Sequence, residues 1–434
     1  MGTLHSLFTL FIKYTKMIIY LFHKHRQIPS RTELEHEKEP MTGDSSLLKT
    51  LNKSTLLRLI RRHAPISRAD LAKRTHLTRA TVSALVEELI GQRLVAETGI
   101  GASSGGRKPV LLQIDAEAGY VIGLDVRRND LLAIVADLRG NALRELSRKL
   151  DAPSDPERTL SQLIALMREL RSELPDSPLG VVGVGVGIAG LVEQPSGRIL
   201  FVPAHDWRLL DWRERLAEAL GVPVIVENEA NLAALAEHDV GAAQHATELL
   251  YVSVSAGIGA GYIVGGELYR GAGGYAGEVG HTTIELNGRP CSCGNRGCWE
   301  TYASEQALAE ALGLAYDPPL GSAIAERAAS GEASALAALE RTGVYLGIGI
   351  GNMIHTLNPQ MIVVGGAISR YRDWLLPKME ATIRARFPYI PAFEVPIRFS
   401  ELGETATAQG AIAYVLRELL EKPGASASAA ATGV

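Results

Sequence analysis

The stretch that decides the fold runs from Glu248 to Gly274 and reads "ELLYVSVSAGIGAGYIVGGELYRGAGG". Its apolar runs and glycine-rich turns predict a strand, a tight turn, a second strand and another turn. A similar series begins at Tyr120, where "YVIGLDV" and "LLAIVAD" are short apolar strands joined by a polar turn. The repeat predicts a duplicated α/β fold of two lobes, with a ligand cleft at the carboxyl ends of the strands.

The rest of this large region fits the same fold. A helix is predicted at about residues 160–174, followed by the glycine-rich buried strand "GVVGVGVGIAGLV". In "VPVIVENEANLAALAEH" a strand leads into a helix through Asn228 and Glu229. Near the C-terminus, "GVYLGIGIGNMIHTLNP" predicts a helix and "MIVVGGAIS" a buried strand. The whole chain of 434 residues is long enough for two to four domains.

Charge separates a small basic module from the large acidic region. From Leu47 to Val110 there are 12 Lys and Arg against 4 Asp and Glu, a net charge of +8. From Leu111 to the end there are 26 against 39, a net charge of −13. Such an imbalance indicates that the first module contacts a polyanion.

The basic module has the pattern of a helix-turn-helix. Pro65 ends the first predicted helix, and Ser67 and Thr78 are placed to cap the second and third. The third helix carries apolar residues at a spacing of three to four: Val82, Leu85, Val86 and Leu89. The short link "THLT" between the second and third helices is typical of this motif.

A hairpin after the third helix completes a winged helix-turn-helix, because "LVAETG" and "KPVLLQID" flank the turn "IGASSGGR". The third helix would enter the major groove and the wing would reach a minor groove. The predicted DNA-contacting residues are Thr78, Arg79, Thr81, Ser83, Arg107 and Lys108. The alternative is a three-helix protein-interaction domain with a solvated basic face.

The two ends of the chain are predicted to lie outside the folded domains. Residues 1–46 include "LFTLFIKYTKMIIYLF", in which Lys13 and Lys16 disfavour a membrane span. We interpret the residues before Met41 as the result of a start codon assigned too early, with Met41 as the natural start. The alternative is an amphipathic helix on a membrane surface. Residues 422–434 are expected to be disordered because their composition is of low complexity.

All three cysteines lie within eight positions of one another, ten residues after a histidine. The pattern is His281-x9-Cys291-x-Cys293-x4-Cys298. One imidazole and three thiolates match a closed tetrahedral zinc site, so we predict one structural, non-catalytic zinc ion per chain. The alternative is three reduced loop cysteines. Three clustered cysteines also argue against a disulfide framework and favour a reducing, cytoplasmic setting.

Several motifs together resemble the ROK family. They are the winged helix and then, in chain order, "ENEAN" (227–231), "GEVGH" (277–281) and "CSCGNRGCWE" (291–300). The resemblance runs from about Leu47 to Glu421 and is strongest to the xylose-repressor type. It implies a winged domain at 47–115 and a two-lobe actin-like, ribonuclease-H-like α/β domain at 118–421.

The resemblance also implies which residues bind a sugar. The implied sugar-binding residues are Asn228, Glu229, Glu278, His281 and Glu300. One ring nitrogen of His281 would bind the metal and the other would bond a sugar hydroxyl. Carboxylates and amides suit a ligand rich in hydroxyl groups.

Three departures from the family's kinases predict that the protein is not an enzyme. The turn after the first strand reads Asp125-Val126-Arg127-Arg128-Asn129 instead of Asp-x-Gly-x-Thr. Glu229 stands where the kinases place the catalytic Asp, and "SVSAGIGAG" has Ser-Ala in place of their usual Gly-Thr. Arginine side chains block the close approach of backbone to phosphate that glycine permits.

The sequence therefore predicts a sugar-responsive transcriptional repressor, acting as a homodimer or dimer of dimers on operator DNA and not at a membrane. Xylose, glucose and N-acetylglucosamine remain open as the effector. The alternatives are an ATP-dependent sugar kinase with an appended DNA-binding domain and a DNA-binding protein whose sugar lobes serve only dimerisation.

Overall fold

The structure is a computed structural model that describes residues 45–100, 108–244, 246–316, 322–386, 388 and 395–421. The expected N-terminal extension up to residue 44, the tip of the wing and the tail from residue 422 lie outside the described residues. From Leu51 onward the described residues belong to one compact unit. None of the helices in the described ranges has the length and apolar character that a bilayer span requires.

The basic module is a winged helix-turn-helix. Its elements are α1 (Ser45–His63), β1 (Ile66–Ser67), α2 (Arg68–Thr75), α3 (Arg79–Gly91), β2 (Val95–Ile100) and β3 (Val110–Ile114). Ser67 Oγ accepts the backbone N–H of Asp70, and Thr78 Oγ1 accepts that of Thr81, so both predicted caps are confirmed. The three strands form an antiparallel sheet in the order β1-β3-β2.

Each lobe of the large region contains a five-stranded sheet. The first has the order β11-β7-β4-β5-β6, with β4 (Tyr120–Val126), β5 (Asp130–Asp137), β6 (Ala142–Lys149), β7 (Val181–Ile188) and β11 (Val224–Asn228). The second has the order β14-β13-β12-β15-β16, with β12 (Glu248–Val254), β13 (Ile258–Val264), β14 (Glu267–Tyr269), β15 (Met361–Gly365) and β16 (Ile397–Phe399). In both, three antiparallel strands are extended by two parallel ones, which confirms the predicted duplication.

The remaining elements connect and cover these sheets. The helices are α4 (Pro156–Ser172), α5 (Trp212–Leu220), α6 (Glu229–Asp239), α7 (Glu300–Ala303), α8 (Glu305–Ala311), α9 (Ala323–Ala329), α10 (Ala333–Leu357), α11 (Arg372–Arg386) and α12 (Ala406–Glu421). A small sheet of β8 (Leu191–Glu193), β9 (Arg198–Val202) and β10 (Trp207–Leu210) follows β7.

The core of the winged domain is not separate from that of the first lobe. One continuous apolar cluster includes Leu56, Leu85 and Leu112 of the winged domain together with Ile412 and Leu416 of α12. The sequence had predicted two separate domains, at 47–115 and 118–421. Because apolar side chains of α12 continue the cluster, the two regions share part of their buried surface.

Candidate functional site

The predicted metal ligands lie together in one loop. His281 ends a short 3₁₀ helix (Val279–His281), and the cysteines follow before α7. One ligand atom from each of His281, Cys291, Cys293 and Cys298 can be chosen so that all four lie within 4.8 Å of one another. The Sγ atoms of Cys293 and Cys298 are 3.7 Å apart. Two sulfurs on a tetrahedral zinc at ~2.3 Å would be about 3.8 Å apart, so the cluster has the dimensions of such a site.

His281 presents its two ring nitrogens to different groups. Nδ1 lies 3.6 Å from Cys291 Sγ, on the side of the cysteine cluster. Nε2 lies 3.9 Å from a carboxylate oxygen of Glu278. The ring can therefore bind a cation through Nδ1 while Nε2 remains directed toward the carboxylate.

Glu300 and Glu278 complete this face of the site. Glu300 Oε1 lies 3.3 Å from His281 Nδ1 and accepts the thiol of Cys291 at 3.0 Å. A Cβ added to Gly257 would lie 2.9 Å from Glu300 Oε2, so the absence of a side chain there leaves room for the carboxylate. Burial raises the pKa of Glu278, the charge of His281 opposes this and the charge of Glu300 reinforces it.

Asn228 and Glu229 lie where β11 passes into α6. Asn228 Oδ1 caps α6 by accepting the backbone N–H groups of Ala230 and Asn231, and Nδ2 donates to the carbonyl of Gly190. The cap uses the oxygen of Asn228 and the bond to Gly190 uses one amide hydrogen, which leaves the second amide hydrogen for a ligand. Glu229 begins the helix with a partly buried side chain.

Strand β13 brings the two groups of predicted sugar-binding residues to one region. On the α6 side, a Cβ at Gly261 would meet the carbonyl of Ala230 at 2.6 Å. On the other side, a Cβ at Gly277 would meet the carbonyl of Ala260 at 2.0 Å. Both close approaches require glycine, and they pack the start of α6 and the Glu278 loop against the same strand.

The turn after β4 is filled by the side chain of Arg127. Its Nε donates to Asp125 Oδ2 at 2.9 Å, and its guanidinium also donates to the side chain and the backbone carbonyl of Glu404. Asp125 is 5 % exposed, and its other oxygen has no hydrogen-bond partner among the described residues. The acidic residue that opens the kinase phosphate turn is therefore paired with an arginine here.

The pKa of Glu229 lies near neutral pH. Burial raises its pKa to about 7, the nearby charge of Asp125 adds to the rise, and Arg127 opposes it. Burial likewise raises the pKa of Asp125, against the charge of Arg127. Two neighbouring carboxyl groups with raised pKa values favour ligands that supply hydroxyl groups rather than anions.

The predicted DNA-contacting residues lie at the start of α3 and at the wing. Thr78 and Arg79 are exposed, whereas Thr81 and Ser83 are partly buried. Lys108 is exposed, and Arg107 lies outside the described residues. The cap formed by Thr78 fixes where α3 begins, so the exposed Arg79 stands at the first helical position.

A buried ion pair between Glu227 and Arg270 lies next to Asn228 and was not predicted from the sequence. Glu227 is fully buried and accepts Arg270 Nε at 2.6 Å, the side-chain amide of Asn231 and the backbone N–H of Asn228. The guanidinium of Arg270 also lies over the ring of Tyr414. The only sequence signal was an acidic residue at an inward position of an apolar strand, and its partner lies 43 residues away.

A winged helix-turn-helix joined to a duplicated α/β domain that carries a His–Cys cluster indicates a DNA-binding regulator built on an actin-like fold. The ROK family model matches residues 121–418, and a MarR family model matches residues 50–101. The chain belongs to the ROK family.

The similar proteins include regulators and kinases. The chain is 38 % identical over 379 residues to the xylose repressor of Bacillus subtilis, covering 87 % of this chain and 98 % of that protein. It is 32 % identical to the DNA-binding transcriptional dual regulator NagC of Escherichia coli, covering 87 % of this chain and 95 % of that one.

Among solved structures, the fold is similar to a ROK family transcriptional regulator described as a homologue of the E. coli MLC protein. The TM-score is 0.76 at 28 % identity, with 88 % of this chain and 99 % of that chain covered. A ROK family glucokinase from Streptomyces griseus in complex with glucose and AMPPNP has a TM-score of 0.60 at 28 % identity. It covers 68 % of this chain and 98 % of its own, so the regulator matches a larger share of this chain.

Proposed function

We propose that this protein is a cytoplasmic, sugar-responsive transcriptional repressor that releases its operator when a monosaccharide binds. The observation that supports this most directly is the combination of a winged helix-turn-helix and a carboxylate-lined site in one compact unit. The relatives named xylose repressor and N-acetylglucosamine repressor align with this chain over 98 % and 95 % of their own length.

The effector would be a neutral monosaccharide bound by Asn228, Glu229, Glu278, His281 and Glu300. Carboxylates accept hydrogen bonds from sugar hydroxyls, and the free Asn228 amide hydrogen can donate one. D-xylose is the first sugar to test because the relative at 38 % identity is a xylose repressor. D-glucose and N-acetyl-D-glucosamine are the next.

The His281–Cys cluster would hold one structural zinc ion per chain. Three sulfurs and one nitrogen fill a tetrahedral shell, which leaves no position for a substrate. The ion would fix the ring of His281, so that Nε2 keeps one direction toward the sugar. In this role the metal supplies orientation and no chemistry.

The basic module would bind a pseudo-palindromic operator as part of a homodimer or dimer of dimers. Arg79 at the start of α3 would reach a base edge, and Lys108 and Arg107 of the wing would reach the backbone or a minor groove. Arg79→Ala should weaken operator binding more than binding to unrelated DNA. A gel shift at fixed salt measures both, and equal losses would contradict base contact by Arg79.

A sugar kinase is the second candidate function. The acidity of Glu229 favours it, because a pKa of about 7 suits a general base at neutral pH. The turn filled by Arg127 argues against it, since phosphate would have to displace a guanidinium bonded to Asp125 and Glu404. We therefore propose sugar binding without phosphoryl transfer.

One experiment on the purified protein separates these functions. Thermal shift with D-xylose, D-glucose and N-acetyl-D-glucosamine measures binding, and an ATP-consumption assay with the same sugars measures turnover. The repressor predicts a rise in Tm with at least one sugar and no turnover. ATP consumption at about 1 per second or faster would establish the kinase instead.

A further inference from the structure

The winged domain is held to the sugar domain by a buried ion cluster. Arg61 of α1 donates to Asp239 Oδ2 at 2.6 Å, and the two side chains are 15 % and 10 % exposed. Arg417 of α12, whose side chain is 8 % exposed, donates to the other oxygen of the same carboxylate. His238 Nδ1 lies 2.9 Å from that oxygen.

The charge distribution makes this contact strong. Burial by itself would raise the pKa of Asp239, but the hydrogen bond with His238 and the charges of Arg61 and Arg417 lower it well below its usual range. The carboxylate is therefore ionised across the physiological pH range. Removing one partner from such a buried group leaves an uncompensated charge.

Asp239 is the last residue of α6, the helix whose first residue is Glu229. All residues from Ala230 to Glu237 are buried, so the helix has no solvent-exposed face along this length. A Cβ at Gly410 of α12 would lie 1.8 Å from the carbonyl of Leu232, which shows how closely the two helices approach. A helix enclosed in this way moves as a rigid body, because close-packed interiors transmit displacement.

The second helix of the cluster also starts at the cleft. Glu404, two residues before α12, accepts Arg127 from the turn after β4. Arg417 lies at the far end of that helix, beside Asp239. Both helices thus extend from the sugar region to the contact with Arg61.

An open pocket lies beside the ion cluster. A cavity of about 230 Å³ is lined by Arg58 of α1, Glu267, Arg270, Tyr414 of α12 and Arg417. Arg270 is also the partner of Glu227 beneath Asn228. The winged domain therefore meets the sugar domain at the shared apolar cluster and, beside it, at a polar contact that borders an open pocket. The polar contact can be rearranged while the apolar cluster stays packed.

We propose that the Arg61–Asp239 contact transmits the state of the sugar site to the winged domain, with α6 as the rigid connection. The proposal rests on the function proposed above, because it requires that a sugar binds at the start of α6. Sugar that shifts α6 changes the position of Asp239, and the ion pair carries α1 with it. Coupling then requires only that the sugar binds the two arrangements with different affinity.

The test is hydrogen–deuterium exchange of the full chain with and without D-xylose, on wild type, Arg61→Ala and Arg58→Ala. Arg58 lies on the same helix and lines the same cavity, so its variant removes an equal charge without breaking the ion pair. In wild type, D-xylose should slow exchange in residues 278–300 and change it in residues 51–63. Arg61→Ala should keep the first effect and lose at least two thirds of the second, while Arg58→Ala should keep both.

The outcomes separate the inference from the function on which it rests. A wild-type effect in residues 51–63 that survives in Arg61→Ala, or is absent while residues 278–300 respond, overturns the transmission route. No effect in residues 278–300 with D-xylose, D-glucose or N-acetyl-D-glucosamine overturns the proposed function itself. If Arg61→Ala does not fold, Arg61→Gln replaces it, because glutamine retains a long stem and a neutral donor but no charge.

Discussion

The turn after β4 and the turn after β12 occupy equivalent positions in the two lobes but have opposite character. In the first lobe, Arg127 fills the turn and is bonded to Asp125 and Glu404. In the second lobe, Gly257 has no side chain, and the carboxylate of Glu300 lies next to it. Ser255 Oγ in the same turn accepts the backbone N–H of Ala367. The side chain of Arg127 closes one copy of the motif, whereas the other copy leaves room for the carboxylate of Glu300.

The difference shows how a duplicated fold can give its two halves different tasks. The closed turn fixes the start of α12 through Glu404, so it has a structural role toward the winged domain. The open turn leaves room for the carboxylate of Glu300, for which we propose a sugar-binding role. Fold similarity to kinases therefore does not imply kinase activity, because activity depends on the residues at these two turns.

The largest effect is expected from the metal cluster on the open side. Cys298→Ser should reduce bound zinc from one ion per chain to none, since Cys298 is the buried ligand of the set. Loss of the fixed His281 orientation should weaken the response to D-xylose by roughly tenfold or more. Metal analysis and a sugar titration measure this, and Ser292→Ala in the same loop is the control. A wild type without metal would remove the basis of the prediction.

The closed turn should contribute to stability rather than to sugar affinity. Arg127→Ala leaves the buried carboxylate of Asp125 without its partner, so the free energy of unfolding should fall by about 3 kcal/mol. The exposed neighbour provides the matched control, and Arg128→Ala should change stability by less than about 0.5 kcal/mol. Guanidinium denaturation measures both variants. Equal effects would show that the ion pairs of Arg127 do not hold the turn.

Glu229 should make stability depend on pH. Its folded pKa of about 7 lies above the unfolded value of 4.5, so the folded state binds more protons between these values. Stability from this group is therefore present below about pH 4.5 and is lost as pH rises toward 7. The loss is at most ~3 kcal/mol and about 2 for a partly exposed group.

Glu229→Gln should remove this dependence. Relative to wild type, the variant should gain about 2 kcal/mol between pH 4.5 and pH 8, because glutamine does not titrate. Tm measured across this range for both proteins provides the comparison. Parallel curves would show that Glu229 titrates as it does in the unfolded chain.

The smallest effect is expected from filling the open turn. Gly257→Ala should displace the carboxylate of Glu300 and weaken sugar binding by roughly three- to tenfold, about 1 kcal/mol. Gly259→Ala is the matched control, since its Cβ would make an ordinary contact with Ala230 at 3.5 Å. Calorimetric titration with D-xylose gives both affinities. An unchanged affinity in Gly257→Ala would separate Glu300 from the sugar site.

The sequence predicted those structural features that depend on residues close to one another in the chain. The caps at Ser67 and Thr78, the wing strands and the duplicated strand order all follow from side chains within a few positions of one another. The spacing of His281 and the cysteines likewise gave a cluster that the structure brings together. Such features are short-range consequences of backbone geometry and turn chemistry.

Long-range ion pairs were not predictable in the same way. Arg61 and Asp239 are 178 positions apart, and each resembles an ordinary surface charge in its own helix. Only the packing of α1 against the sugar domain removes both from solvent. The shared apolar cluster was missed for the same reason, because the apolar positions of α12 do not reveal what covers them.

The shared cluster has a consequence for exchanging parts between relatives. A winged domain grafted from another regulator would bring apolar side chains that evolved against a different last helix. These side chains would pack poorly against α12 in the shared cluster. Hybrid regulators should therefore work best when the fragment from 406 to 421 travels with residues 51–115. The segment that has to be exchanged as one unit is then discontinuous: it consists of residues 51–115 and residues 406–421.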